Sequence, residues 1–172
     1  MYIVKKINKL YTKQIMEMIK NNFHNFVDIP SLNEVKIILN CGYTIGLFKK
    51  NKLIGFSLCF KPNKNVFYIG NNLLVNYLFM VNKQHLGKNL GGLLLNELLL
   101  IAKKHNLKSV ISIVSLLNIA SIKSHFKKDF RIIFLLKRIS FHNCEHKYSF
   151  NHYSFHYNQH TDKAEYLMKK DL

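Results

Sequence analysis

The sequence predicts one mixed α/β domain with a partly antiparallel sheet of about six or seven strands, flanked by about four helices. The chain of 172 residues has the usual size of a single domain. Apolar residues make up 48% of it, which is enough for a large core and too many for a disordered chain. Segments with strand and helix periodicity also alternate along its length. We expect this domain to cover residues 1–158, followed by a C-terminal extension at residues 159–172.

The first half of the chain predicts a strand, two helices and a hairpin. Ser31 and Glu34 form the Ser-x-x-Glu capping-box pattern, which opens a helix that ends near Leu39. Two apolar β-rich runs on either side of a polar turn at residues 49–52 predict the hairpin. The expected elements of this half are strands at residues 2–7, 43–48 and 53–60 and helices at residues 12–20 and 32–39.

The second half alternates strands with helices. A leucine-rich helix is expected to start at Gly91, and its last turn carries Lys103 and Lys104, as the helix dipole favours. A short strand or turn is expected from Val66, before the strand that starts at Leu73. The expected strands are residues 73–81, 109–114 and 130–141, and the expected helices are residues 91–104 and 118–127.

The last segment is unusual, because residues 141–160 hold five of the nine histidines, interleaved with aromatic residues. His152, His156 and His160 lie four apart, which is metal-ligand spacing on a helix. The alternation indicates a strand, on which four residues span about 13 Å, too far for one ion. We therefore expect no metal site here, and we expect a terminal helix at residues 161–172.

Charge is the strongest bias of composition. The chain has 26 Lys and Arg against 9 Asp and Glu, a formal net charge of +17. Such a field suits nucleic acid, an acidic membrane surface or a polyphosphate ligand. The abundance of Lys, Asn, Ile, Phe and Tyr is also what an AT-rich coding sequence produces, so charge alone does not choose among these.

The expected cellular location is based on three features that the sequence lacks: a membrane span, a secretion signal and a disulfide pattern. The longest uncharged run, residues 109–122, is shorter than the roughly 18 to 20 apolar residues that a bilayer needs. The lysine-bearing N-terminus has no apolar block after it, and the three cysteines show no paired spacing. We expect a cytoplasmic protein without a membrane partner.

The most informative stretch is residues 79–92, where a strand runs through a glycine loop directly into a leucine-rich helix. The first amides of a helix lack intrahelical partners and carry partial positive charge, so they can hold phosphate oxygens. Gly87 and Gly91 let the backbone approach a ligand closely, and Lys83 and Lys88 add positive charge. This pattern predicts an anion-binding loop.

The same loop resembles the signature of the GCN5-related N-acetyltransferase (GNAT) family, Arg/Gln-x-x-Gly-x-Gly/Ala. Leu86 stands at the position of the Arg or Gln and Asn89 at that of the middle Gly. Asn is the non-glycine residue that best tolerates a left-handed backbone, so we expect Asn89 to keep the shape of the loop. The matching positions are Leu86, Gly87, Lys88, Asn89, Leu90 and Gly91.

A second stretch is similar to the family's other signature, after the next strand. Asn118 occupies the first position of the signature, and His125 stands where the family usually has Tyr. Asp129 replaces the Gly near its end. The further positions that fit are Ser121, Ile122, Lys127 and Phe130.

The resemblance implies transfer of an acetyl group from acetyl coenzyme A, as co-substrate, to an amine in a ternary complex. Backbone groups at Phe79, Met80 and Val81 would contact the pantetheine arm and polarise the thioester carbonyl, as an oxyanion hole does. Asn118 would hydrogen-bond the pantetheine. His125 would be the general acid for the departing thiolate, with Tyr77 as a weaker alternative. Residues 66–81 contain no Asp or Glu, so no general base is named.

The acceptor is expected to carry an amine, and the positive charge favours an anionic small molecule or a protein N-terminus. A rival hypothesis keeps the same scaffold as a catalytically silent basic protein that binds nucleic acid or another polyanion. Aromatic and basic residues in residues 138–157 would suit single strands in that case.

Overall fold

The computed structural model describes residues 1–22, 30–62, 72–116, 118–136, 139–143, 153–157 and 165–172. Within these residues the chain forms nine strands and four α-helices. The strands are β1 (Tyr2–Lys6), β2 (Ile45–Lys49), β3 (Lys52–Phe60), β4 (Leu73–Val81), β5 (Ser109–Ser115), β6 (Arg131–Leu136), β7 (Ile139–Asn143), β8 (Tyr153–Tyr157) and β9 (Glu165–Asp171). The helices are α1 (Thr12–Asn22), α2 (Leu32–Asn40), α3 (Leu90–Lys104) and α4 (Ile119–Phe126).

Seven strands form one mixed sheet in the order β1-β2-β3-β4-β5-β9-β6. Neighbouring strands are antiparallel except β4 and β5, which are parallel and are connected through α3. β7 and β8 pair with each other as a separate antiparallel ribbon. The predicted class, a partly antiparallel sheet with about four helices, is confirmed.

The sheet buries an apolar cluster on each face, because side chains alternate along each strand. On β4, Leu73 and Val75 pack with α1 and α2, whereas Leu74 packs with α3. Helix α3 presents leucines at helical spacing, including the fully buried Leu94 and Leu98. Burial of one such side chain stabilises the fold by about 1.5–3 kcal/mol, so both helical layers are held firmly against the sheet.

Two local predictions are confirmed in atomic detail. The Ser31 hydroxyl accepts a hydrogen bond from the Glu34 amide, and the Ser31 amide donates to the Glu34 carboxylate at 2.7 Å, which completes the capping box of α2. The β2–β3 turn is made by Lys50 and Asn51, both left-handed with φ of 46° and 63°. Two left-handed residues in a two-residue loop match the right-handed twist of a hairpin.

The C-terminal prediction is wrong for residues 165–171, which form β9 instead of a terminal helix. β9 lies between β5 and β6 and pairs with both, and its Leu167 and Met168 are fully buried. Its residues Glu, Leu, Met and Lys favour helix, but insertion into the sheet overrides that local preference. Residues 165–171 are therefore an internal strand of the sheet.

Residues 130–141 were expected to form one strand and instead contribute to two, β6 in the large sheet and β7 in the ribbon. The expected short strand or turn at residues 66–71 lies outside the described residues, as does most of the histidine-rich segment. Among the described helices, none combines the length and the apolar composition needed to cross a membrane.

Candidate active site

The main feature of the site is a gap between β4 and β5. These strands pair over four residues only, from Leu73 with Ser109 to Asn76 with Ser112. β4 then continues for residues 77–81 and β5 for residues 113–115, without further pairing between the two strands. We call the space between these two segments the β4/β5 gap. Alternate backbone groups of an extended strand face each edge, so part of the backbone of residues 78–81 faces the gap.

Beyond the last β4–β5 pair, each of the two strands stays hydrogen-bonded to the strand on its other side. β4 stays paired with β3 as far as Val81, opposite Gly55. β5 stays paired with β9 as far as Ser115, opposite Glu165. The sheet therefore divides into two halves that are joined at one end and diverge at the other, and β4 and β5 form the walls between them.

The N-terminus of α3 follows β4 after the loop of residues 82–89. Asn89 is the N-cap residue and has a left-handed backbone with φ of 53°, as expected from its place in the loop signature. Its side chain makes no capping hydrogen bond, in contrast to Ser31 on α2 and Asn118 on α4. The first amides of α3 therefore keep their capacity to bind an external acceptor.

Glycines shape this loop. Gly87 has φ of +79°, a conformation that favours glycine, and a side chain added there would meet no atom within 4 Å, so the space beside it is open. At Gly91, an added Cβ would lie 3.4 Å from the ring of Phe79. This is an ordinary van der Waals distance, so the first turn of α3 packs directly beside the end of β4.

The loop lies in a region of one-sided charge. Residues 35–96 contain eight lysines and no Asp or Glu. Partial burial and the charges of Lys49, Lys88 and Lys52 lower the pKa of His85, which shows that the β2–β3 turn and the loop share one positive field. The described ion pairs instead involve Asp129 and Asp171. The field around the start of α3 is therefore free to attract an anion.

The remaining loop residues lie as follows. Leu86, at the position of the family's Arg or Gln, is 61% exposed, so it does not contribute to the core. Leu90 is buried and anchors α3. At the end of β4, Phe79 and Val81 face α3 and Met80 faces the opposite cluster. The side chains of residues 79–81 thus point to the two faces of the sheet, and it is their backbone that runs along the gap.

Asn118 is exposed at the start of α4, and its side-chain oxygen accepts from the Ser121 amide at 3.0 Å. The structure thus gives Asn118 a structural role as the N-cap of α4. Its amide nitrogen is a donor that this bond does not use.

His125 is buried, with 1% of its surface exposed, and lies on α4. Nδ1 lies 2.8 Å from the Ser121 carbonyl oxygen, and because a carbonyl only accepts, Nδ1 carries the proton. Nε2 is buried and has no hydrogen-bond partner among the described residues. The rings of Phe79 and Phe130 contact the imidazole edge-on, with centroids 6.0 and 4.9 Å away. Burial lowers the pKa of His125, and the bond to Ser121 offsets this only in part.

These observations argue against the expected role of His125 as general acid. At neutral pH the imidazole is neutral, and with the proton on Nδ1 its Nε2 holds a lone pair. Nε2 could give up a proton only from the imidazolium form, which burial disfavours. His125 lies beside Phe79 of β4, and the free ring nitrogen of its neutral form is an acceptor.

Sequence reasoning missed a row of buried polar side chains across the sheet. The Ser57 hydroxyl donates to Asn76 Oδ1 at 2.7 Å, and Asn76 Nδ2 donates to Ser112 Oγ at 3.0 Å. Cys59 Sγ lies 3.0 Å from the Ser57 hydroxyl, and burial raises the pKa of its thiol to about 12. A single polar residue inside an apolar strand, such as Asn76 within residues 73–81, is the signal that could have located it.

Among the described residues, no group of three or more His, Cys, Asp or Glu side chains is close enough together to hold an ion. His152 and His160 lie outside the described residues.

Comparisons with known proteins agree with this geometry. The profile of the acetyltransferase (GNAT) family matches residues 12–130, which include β4, α3, β5 and α4. No curated protein matches the sequence closely enough to count as a relative.

Solved structures match over nearly the whole chain at low identity, which is evidence for the fold alone. Ard1 from Thermoplasma volcanium is 13% identical with a TM-score of 0.73, and the match covers 99% of this chain and 97% of that chain. The ribosomal-protein-S18-alanine N-acetyltransferase from Escherichia coli is 13% identical with a TM-score of 0.71, over 99% and 94% of the two chains. Diaminobutyrate acetyltransferase EctA from Paenibacillus lautus, solved with its substrate and coenzyme A, is 13% identical with a TM-score of 0.70, over 98% and 94%.

The family match confirms the resemblance drawn from the two sequence signatures. Because it spans well over half of the chain and the sheet and helices agree with it, the chain belongs to the acetyltransferase (GNAT) family and is an acyltransferase.

Proposed function

We propose that this chain transfers an acetyl group from acetyl coenzyme A to a primary amine by direct attack in a ternary complex. The observation that carries the proposal is the β4/β5 gap next to the uncapped N-terminus of α3. An extended ligand arm with a phosphate group at its end needs both features side by side. The fit is supported by the open space at Gly87 and by the positive field of the loop.

The cofactor's diphosphate would bind the amides at residues 86–91, with Lys88 adding charge. The pantetheine arm would run along the backbone of residues 79–81, and the amide nitrogen of Asn118 would donate to it from the facing side. Each charge-assisted hydrogen bond to the diphosphate would contribute about 1.5–3 kcal/mol before desolvation.

Bound acetyl coenzyme A supplies a thioester whose carbonyl carbon is open to attack by an amine, with the thiolate as leaving group. An amide of β4 that faces the gap would stabilise the negative charge that develops on the carbonyl oxygen. A thiol with a pKa of about 8.5 leaves without obligatory help from an acid. We therefore propose that His125 acts by holding Phe79 and the wall of the gap, and not by donating a proton.

We propose an acceptor with an amine on an anionic small molecule or at a protein N-terminus. The support is the charge of the chain, +17, which exceeds what one cofactor requires. Among the structural neighbours, one acetylates an alanine of a ribosomal protein and another acts on L-2,4-diaminobutyric acid. A panel of peptides and small amines, assayed by mass spectrometry for a gain of one acetyl group, would separate the two classes.

The first experiment is calorimetric titration with acetyl coenzyme A, and micromolar binding is expected. Lys88→Glu should weaken binding at least tenfold, because it places negative charge at the start of α3. Lys104→Glu changes the net charge equally at the other end of the same helix, about 20 Å away, and should change affinity less than twofold. Absence of binding at millimolar cofactor, together with salt-sensitive binding of nucleic acid, would support the catalytically silent alternative instead.

A further inference from the structure

A buried row of hydrogen-bonded polar side chains lies at the point where the two halves of the sheet separate. Asn76 and Ser112 are the last paired residues of β4 and β5, and a side-chain hydrogen bond joins them in addition to the ladder. Ser57 on β3 bonds the other end of the Asn76 amide. All three side chains are at least 98% buried, so water does not compete for these bonds.

The position of Asn76 matters in a second way. The register between β3 and β4 shifts here, since Cys59 faces Asn76 while Leu58 faces Leu78, so Tyr77 is the additional residue of a β-bulge. A bulge bends the strand that carries it and increases its twist. Asn76 is thus the last residue before β4 bends and parts from β5, and it is bonded to both neighbouring strands.

Such a row contributes little net stability to the fold. Satisfied buried polar groups add little, and replacing all the partners together by apolar groups of the same shape changes the folding free energy only slightly. The hydrogen bonds of the row are directional, and each of them holds two neighbouring strands at a set distance. At this location, the bond between Asn76 and Ser112 spans the two strands at the point from which the β4/β5 gap opens.

We propose that Asn76 and Ser112, supported by Ser57, are positioning residues that set the opening of the β4/β5 gap and so the path of the cofactor's pantetheine arm. This inference rests on the proposed function. It goes beyond it by assigning a role in ligand binding to three side chains that do not touch the reacting atoms.

The test compares two ligands on the same variants. Coenzyme A uses both the loop of residues 86–91 and the gap, whereas ADP carries the diphosphate without the pantetheine arm and uses the loop alone. The triple variant Ser57→Ala, Asn76→Leu, Ser112→Ala replaces the row with apolar groups and should fold with nearly unchanged stability in urea. We expect its Kd for coenzyme A to rise at least tenfold while its Kd for ADP stays within twofold of wild type.

The matched control is Ser109→Ala. Ser109 is also a buried serine of β5 but belongs to the first of the four pairs with β4, at the opposite end from the gap. It should leave both dissociation constants unchanged.

Single variants keep the test decisive if the triple variant does not fold. Ser112→Ala alone removes the side-chain bond to Asn76 and leaves the backbone pairing in place, and we expect it to weaken coenzyme A binding at least threefold without weakening ADP binding. A folded variant that binds coenzyme A as tightly as wild type, or that loses both ligands equally, would overturn the positioning role. Failure of the wild-type chain to bind coenzyme A at all would instead refute the proposed function, and the positioning role with it.

Discussion

Gly55 provides a direct way to disturb the end of β4 from the strand beside it. It pairs with Val81, and a Cβ at Gly55 would lie 2.8 Å from the Met80 carbonyl oxygen and 3.4 Å from the Val81 Cα. Contacts under 3.0 Å are not sustained, and here the contacted atom is backbone, so β4 must move by a few tenths of an ångström. We therefore predict that Gly55→Ala shifts the wall of the β4/β5 gap.

The magnitude follows from the cost of overpacking a filled core, about 1–3 kcal/mol. For a chain of this length, that lowers the melting temperature by about 2–4 °C per kcal/mol. The Kd for coenzyme A should rise about tenfold, equivalent to about 1.4 kcal/mol of binding free energy. Thermal unfolding and calorimetry on the same preparation measure both quantities.

Gly46→Ala is the matched control. Gly46 is also a strand glycine, and its added Cβ would lie 2.8–2.9 Å from the side chains of Leu53, Ile7 and Phe48. It overpacks the core from β2, two strands away from the gap, and should lower stability by a similar amount with coenzyme A affinity unchanged. Equal losses of affinity in the two variants would refute the reasoning, as would an unchanged affinity in a destabilised Gly55→Ala.

Three further predictions concern the loop and α4. Asn89→Ala should destabilise the chain by about 1 kcal/mol, because an ordinary side chain is strained in the left-handed region. Asn89→Gly should keep the free energy of unfolding in urea within about 0.5 kcal/mol of the wild-type value. Equal stability of the two variants would contradict the left-handed N-cap. Burial lowers the pKa of His125 in the folded chain below its unfolded value, which is near 6.5. Below pH 6.5 the unfolded chain therefore takes up a proton that the folded chain does not. The stability of the folded chain consequently falls as the pH falls. Melting curves between pH 5 and 8 should therefore be steeper in pH for wild type than for His125→Phe, and parallel curves would count against a buried neutral imidazole. Leu86→Arg changes an exposed position and should leave the free energy of unfolding within about 0.5 kcal/mol of the wild-type value. It should lower the Kd for coenzyme A about two- to fivefold in low salt, as expected of an exposed ion pair. An unchanged Kd would mean that residue 86 does not reach the diphosphate.

Local signals explain the parts of the fold that the sequence predicts well. The capping box of Ser31 and Glu34 needs only four consecutive residues, and the boundaries of β4 follow from one apolar run between polar segments. The left-handed backbone of Asn89 is also predictable from nearby sequence, because it depends on the residue type and on the length of the loop. In each of these, the interactions that decide the structure lie within a few residues of one another.

Local signals are insufficient where segments distant in sequence decide the structure. β9 has helix-favouring residues and becomes a strand because β5 and β6 both lack a partner at that place in the sheet. The burial of His125 depends on Phe79 and Phe130, which come from β4 and the turn after α4. Motif spacing brings the histidine to the site but carries no information on the solvent around its ring, and its protonation depends on that solvent.

The same strand that sequence reasoning missed also determines the gap. β5 follows β9 through seven pairs, from Ser109 with Asp171 to Ser115 with Glu165, and follows β4 through only four. β9 pairs with the opposite edge of β5 and so fixes the course of residues 113–115 after the last pair with β4. Without that pairing, these residues would be free to approach β4 and close the gap. The proposed cofactor loop depends on residues near Gly87, whereas the β4/β5 gap, into which the proposed ligand would extend, depends on residues 165–171 as well. Substitutions in β9 should therefore affect coenzyme A binding even though β9 contains none of the proposed contact residues.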